Sequence, residues 1–202
     1  FYIRVLRRAV GEVDIDFAMF WEGMCYKAGP LGNNFASFTD GLSTTIAMSE
    51  NAVGRDRSRY IIGGIATNTN IEAAGGAVPQ TCLALVGGDG MYVSTATVAD
   101  WRGMRWADGG ISYTGFNTII GPNGPSCARG GGDADGGVFA ASSFHPGGVN
   151  GLMGDGAVRW FSNDIDTGNL AQHGVIDMGP SPFGVWGATG SKNGGESTDL
   201  GK

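Results

Sequence analysis

The dipeptide Asp155-Gly156 stands between two extended runs, Val149 to Gly154 and Ala157 to Phe161, and this arrangement constrains the chain more than any other feature. Asp-Gly is preferred where a tight turn needs positive φ, so the stretch predicts a β-hairpin closed by a two-residue turn. Alternation along the second run puts Val158 and Trp160 on one face and Arg159 on the other. His145-Pro146-Gly147-Gly148 cannot continue a strand or helix, since Pro lacks a donor and Gly-Gly is loose. The hairpin therefore starts after it, with Phe139–Ser143 as its expected neighbouring strand.

Composition narrows the fold class. Glycine accounts for 38 of 202 residues, against a usual level of roughly 7%, and without a collagen-like period. Glycines spread among aromatic and β-branched residues predict many turns and long ordered loops. The expectation is one domain over 1–202, α+β but mainly β, an antiparallel sheet with long glycine-rich loops. Only 16% of residues are charged and the net charge is -6; with no basic stripe, nucleic-acid binding is excluded. No run of 18 apolar residues exists to span a bilayer.

Of the three cysteines, Cys82 and Cys127 lie in loop-like sequence that suits a bridge, whose chain-entropy contribution would be roughly 4 kcal/mol. The alternative is three reduced, buried thiols, because a bridge depends on an oxidising compartment. An odd count leaves Cys25 without an intrachain partner in the bridged case.

Taken in order, Val13, Ile15 and Phe17 alternate with Asp14 and Asp16 as a strand, and Trp21 to Tyr26 is an apolar segment closed by a turn through Asn34. Thr39 or Asp40 can cap a short helix, and the stretch to Glu50 predicts one or two helical turns running into a strand. Tyr60-Ile61-Ile62 reads as a strand piece. Residues 79–137 have no sustained period, and Trp101, Trp106 and Tyr113 there either bind a ring-shaped ligand or, as the more usual role, fix the loop locally. Pro182 to Thr189 predicts a last helical turn, and 190–202 a mobile tail.

Five stretches together resemble one bacterial family. They are Gly23-Met24 followed by Tyr26; Phe38-Thr39-Asp40-Gly41-Leu42-Ser43 through Glu50; Phe116-Asn117-Thr118 with Pro122-Asn123-Gly124-Pro125-Ser126-Cys127; His145 with Asp155-Gly156 after nine intervening residues; and Val185-Trp186-Gly187-Ala188 through Glu196. The order and spacing are similar to the pilin-like family named for that His, nine residues, Asp-Gly pattern. The resemblance implies a pilin-like globular domain of antiparallel sheet and long loops, preceded by a prepilin-type leader and hydrophobic helix. It implies no assigned activity; an older label grouped the family with solute-binding proteins. Phe1 to Val10 departs from the pattern: it carries Arg4, Arg7 and Arg8 and is not a pilin helix. Membrane attachment is expected only through such a helix, which these ten residues do not supply.

Candidate chemistry is sparse. His145 and His173 are the only histidines, and a nucleophile system would need His145 with Ser142 or Ser143 and Asp155, where no nucleophile-elbow pattern exists. Asp133, Asp135, Asp155, Asp164 and Asp166 sit in glycine-rich turns, and the alternate spacing of Asp133/Asp135 and Asp164/Asp166 would suit Ca²⁺. Turn chemistry alone also explains them. His145 is expected to fix the start of the hairpin through a backbone group or a nearby Asp, Asp40 to cap a helix, and Glu50 to pair with an Arg or face solvent. The functional expectation is a non-enzymatic, extracytoplasmic subunit of a surface filament, pseudopilus or related assembly, with copies of itself or related subunits as partners. The alternative is a solute- or glycan-binding module using the 79–137 loops; a hydrolase is the least favoured.

Overall fold

Among the described residues, seven short strands and two short helices arise where the glycine-punctuated sequence permits local pairing. The computed structural model describes residues 35–54, 59–71, 78–105, 110–133, 135–173 and 180–196. The expectations for Val13–Phe17, Trp21–Tyr26, Cys25, Trp106 and the last six residues lie outside them. A single 3₁₀ turn, Phe35–Ser37, precedes β1 (Ile46–Ser49), β2 (Ile65–Thr67), α1 (Pro79–Leu83), β3 (Thr97–Ala99), β4 (Cys127–Ala128), β5 (Gly137–Val138), β6 (Gly148–Met153), β7 (Val158–Ser162) and α2 (Gly184–Thr189). Among the described residues, no helix is long and apolar enough to cross a membrane.

The predicted hairpin is β6–β7, paired antiparallel from Gly148↔Ser162 to Leu152↔Val158. Its turn differs from the expected one. Gly156 N–H donates to Met153 O at 3.0 Å and Met153 N–H to Ala157 O at 2.8 Å, which makes a three-residue loop, Gly154 to Gly156. Gly156 takes φ +89° as the left-handed residue that such loops place last. The Asp155 carboxylate accepts the Ala157 N–H at 2.9 Å, so the aspartate shapes the turn from its side chain.

The partner of this hairpin is β1, not Phe139–Ser143: the sheet order is β1-β6-β7. Residues 139–143 run extended but give their backbone groups to irregular neighbours. Asn117 N–H donates to Phe139 O, Asn123 N–H to Ala141 O, and Ser142 N–H to Glu50 O. The second sheet has order β3-β2-β4-β5. It is mixed rather than wholly antiparallel, because β2 meets β4 in parallel at the one pair Ala66↔Cys127. Tyr60 makes an isolated bridge to Met91, and the strand predicted at 60–62 falls instead at β2.

Among the described residues, the two larger of three buried clusters lie under these sheets. Beneath the hairpin sheet, Ile46, Val149, Met153 and Phe161 pack with Trp186 of α2. The Phe161 and Trp186 rings lie 5.2 Å apart, and the Trp186 indole N–H donates to Ile120 O at 2.9 Å, so the buried ring leaves no polar atom unmatched. Beneath the mixed sheet, Ala66, Ile71, Tyr92, Ile120 and Val138 pack around Cys82 and Cys127. Those two cysteines are bridged, with Cα atoms 5.9 Å apart, as one of the two sequence readings had it.

Candidate functional site

Two of the motif residues, Glu50 and His145, come together at the open end of the hairpin sheet. Glu50 follows directly on β1, opposite Asn150 of β6 and the loop that carries His145. Its Oε2 accepts the Asn150 N–H at 2.7 Å, and its Oε1 accepts the Asn150 amide at 3.3 Å and lies 3.1 Å from His145 Nε2. Burial pushes the carboxyl pKa up, but the Asn150 N–H, the Asn150 amide and the imidazole outweigh it and hold the group below the ordinary 4.5. Glu50 was expected to pair with an Arg or face solvent, and His145 to reach a backbone group or an Asp. The two instead meet each other.

The rest of the His145 loop is pinned through backbone groups. His145 N–H donates to Ser143 Oγ at 3.1 Å, and that hydroxyl donates to Gly148 O at 2.7 Å. Ser142 Oγ accepts Ala52 N–H at 3.0 Å. Both hydroxyls considered as nucleophiles are thus buried in backbone bonds, and Asp155 sits at the hairpin tip with Ala157. The imidazole side chain is 56% exposed and stands edge-on to Trp160, ring centroids 6.2 Å apart. Asn123 completes the cluster: its Oδ1 accepts Ser143 N–H at 2.7 Å, and its Nδ2 donates to Asn163 Oδ1 at 2.9 Å. Its backbone φ of +61° explains why the Pro122-Asn123-Gly124 turn carries an Asn there.

Because the folded-state pKa of Glu50 is depressed, its stabilisation is fully present above the unfolded value and lost as pH falls through the folded one. The stability gap between wild type and Glu50→Gln is therefore expected to be present near neutrality and to close as pH falls below 4.5. Urea melts across that range check it; a gap that widens on acidification contradicts the assignment. His145→Ala, at an exposed pair, should cost less than about 1 kcal/mol.

Asp40 does not cap a helix, because residues 41–45 form turns rather than a helix. Its carboxylate reaches across the chain to the last motif: Oδ2 accepts Gly194 N–H at 2.6 Å and Ser191 Oγ–H at 3.2 Å, and Oδ1 accepts Gly195 N–H at 2.9 Å. Asp40 N–H in turn donates to Lys192 O at 3.2 Å. The segment 190–196 is consequently held, not mobile, with Ser191 and Lys192 buried. Asp40→Ala removes three acceptor contacts and is expected to cost about 2 kcal/mol and expose 190–196 to protease. An unchanged cleavage rate there would refute the tether.

The five aspartates considered for Ca²⁺ are spread out. Asp133 accepts the Tyr113 hydroxyl and pairs with Arg105 at 3.5 Å. Asp135 accepts Gly132 N–H at 2.7 Å, and Asp166 accepts Gly168 N–H at 2.9 Å. Asp164 donates its N–H to Ser162 Oγ at 3.2 Å. Among the described residues, no three His, Cys, Asp or Glu side chains gather as a metal would need. The carboxylates do not converge: Asp135, Asp155 and Asp166 each close a local turn, while Asp133 is drawn to Tyr113 and Arg105.

Trp101 packs against Ile65, Ala128 and Phe139, and Tyr113 is buried, so neither lines a ring-binding wall. A shallow depression of about 510 Å³ in the same region is lined by Arg59, Asp89, Met91, Tyr92 and neighbouring small residues. The Arg59 guanidinium there is committed to the carbonyls of Tyr92, Val93 and Ala96. Sequence reasoning also passed over Arg102, which is 1% exposed and joins three segments; an Arg among glycines gives no local sign of that.

No curated protein and no solved structure matches this chain. A family model does match, over residues 11–168, and that is most of the sequence. The chain belongs to the family described as "Protein of unknown function (DUF1559)", which also carries the label SBP_bac_10.

Proposed function

We propose that this protein is a non-enzymatic, extracytoplasmic building block: a pilin-like subunit of a surface filament, pseudopilus or similar assembly. The observation that carries the reading is the use made of the motif side chains. Asp40, Glu50 and Asn123 spend their polar atoms on backbone N–H groups or on other side chains of the same chain. They tie the polypeptide to itself and do not converge on a reacting atom. The Cys82–Cys127 bridge suits an oxidising compartment. Val158, Trp160 and Phe144 remain exposed at the hairpin sheet, as a surface meant for protein contact would require.

The test is electron microscopy of the purified chain across a concentration series, with sedimentation on the same samples. Ordered polymers or concentration-dependent association support the reading. A strict monomer at every concentration, together with saturable binding of a glycan or small solute in the depression beside Arg59, would replace it with the binding-module alternative.

A further inference from the structure

We propose that Asn193-Gly194 is the site at which this chain deamidates and that Asp40 is what holds the reaction back; neither depends on the assembly reading above. The sequence contains three Asn-Gly dipeptides, at 123–124, 150–151 and 193–194. Glycine has no Cβ, so its backbone nitrogen can approach the preceding side chain closely. That nitrogen bonds to the Asn Cγ and closes a five-membered succinimide. It gives up its proton, and the side-chain nitrogen leaves with one as ammonia. Water then adds to either ring carbonyl and breaks one C–N bond, which leaves Asp or isoaspartate.

Two of the three dipeptides are closed at the side chain. Asn123 is buried, and both its amide atoms are engaged, with Ser143 N–H and Asn163 Oδ1. The Asn150 amide donates to Glu50, and Gly151 is buried within β6 opposite Arg159. Asn193 differs. It is exposed and, among the described residues, its side chain makes no hydrogen bond. Its backbone is held instead, on both sides and by one residue. Asp40 N–H donates to Lys192 O at 3.2 Å, and Asp40 Oδ2 accepts Gly194 N–H at 2.6 Å. Gripping the two flanking peptide units fixes φ and ψ of Asn193 and leaves only its side-chain torsions to turn.

Ring closure needs the Gly194 nitrogen to lose its proton and turn onto Cγ. Both steps oppose the contact with Asp40. A carboxylate is far too weak a base to take a backbone amide proton, and its negative charge disfavours an amide anion beside it. The bond that must break is charge-assisted and short. Gly194 is itself buried, which keeps solvent base from the same proton. Asp40 also holds the next N–H, that of Gly195 at 2.9 Å, so the nitrogen cannot turn without pulling on a second bond. Once formed, isoaspartate adds a methylene to the backbone and draws both glycines out of register with the carboxylate. The modification therefore releases the tether that delays it.

The experiment incubates the full, folded chain at neutral pH and follows the three Asn-Gly peptides by mass spectrometry. Asp40→Ala should speed conversion at Asn193 by roughly 10- to 100-fold, the rate equivalent of one hydrogen bond to a charged group. Asn123 and Asn150 should keep their wild-type rates, and they report whether the variant has stayed folded. A second measurement needs no variant. In wild type, at urea concentrations below the unfolding transition, conversion at Asn193 should rise in step with hydrogen exchange of the Gly194 amide and ahead of the other two sites. Asn193 converting in folded wild type as fast as in fully denatured chain overturns the proposal, as does a rise at all three sites together in the urea series. Slower conversion at Asn193 in Asp40→Ala than in wild type also overturns it, because the carboxylate would then be assisting the attack.

Discussion

Replacing Arg102 by alanine is expected to lower the unfolding free energy by about 3–5 kcal/mol, the range for stripping a buried charged group from its partners. The side chain is 1% exposed and faces three carbonyls on two other stretches of the chain. Its Nη1 donates to Ile111 O at 3.1 Å and to Gly115 O, and its Nη2 donates to Ala140 O at 2.9 Å. Burial pushes the guanidinium down to about 10, which leaves it charged at neutral pH. Removing it orphans three acceptors and opens a cavity between the 110–116 loop and the strand-like run leading to the hairpin. Arg102→Met refills volume but supplies no donor, and Arg102→Lys supplies one point charge where a planar fork serves three directions. The expected order of stability in urea is wild type, Lys, Met, Ala. A methionine variant within about 0.5 kcal/mol of wild type would show that the guanidinium does not hold this loop.

Loss of the Cys82–Cys127 bridge is expected to cost about 4 kcal/mol, since it closes 45 residues and constrains the unfolded chain. Both sulfurs are fully buried, in the core that also holds Tyr92. That core has a second support: the Tyr92 hydroxyl donates to Ser126 O and accepts Ser126 N–H, each at 2.8 Å, and burial pushes its pKa upward. The mixed sheet has a two-residue β4 and a two-residue β5, so little ladder remains to hold it when the covalent tie is cut. Equilibrium unfolding with and without a thiol reductant, paired with mass spectrometry of free thiols, measures the effect. Coincident midpoints under both conditions would contradict it.

Much of the hairpin was legible because its signals are local. Asp-Gly, alternation and the Pro-Gly-Gly stop act within a few residues, and β6–β7 fell where they pointed. Even there the loop length was missed, because a Gly at positive φ serves a three-residue loop as well as a two-residue one. The third strand was misplaced for a different reason: Phe139–Ser143 is extended, but whether extended backbone becomes a ladder depends on which carbonyls lie beside it. The aspartates show the same limit, since spacing along the chain says nothing about convergence when Asp135 and Asp166 close local turns and Asp133 is drawn to Tyr113 and Arg105.

By itself, the sequence determined the class of the fold and the position of the hairpin and last helix. Glycine at nearly one residue in five forbids long helices, and short-range turn chemistry needs no distant partner. Only the tertiary structure decided the rest. Asp40 meets Gly194 across 154 positions, Glu50 meets Asn150 across 100, and Arg102 reaches Ala140. Such contacts depend on how the layers stack, and hydrogen-bonding groups at that separation leave no periodic trace in the chain.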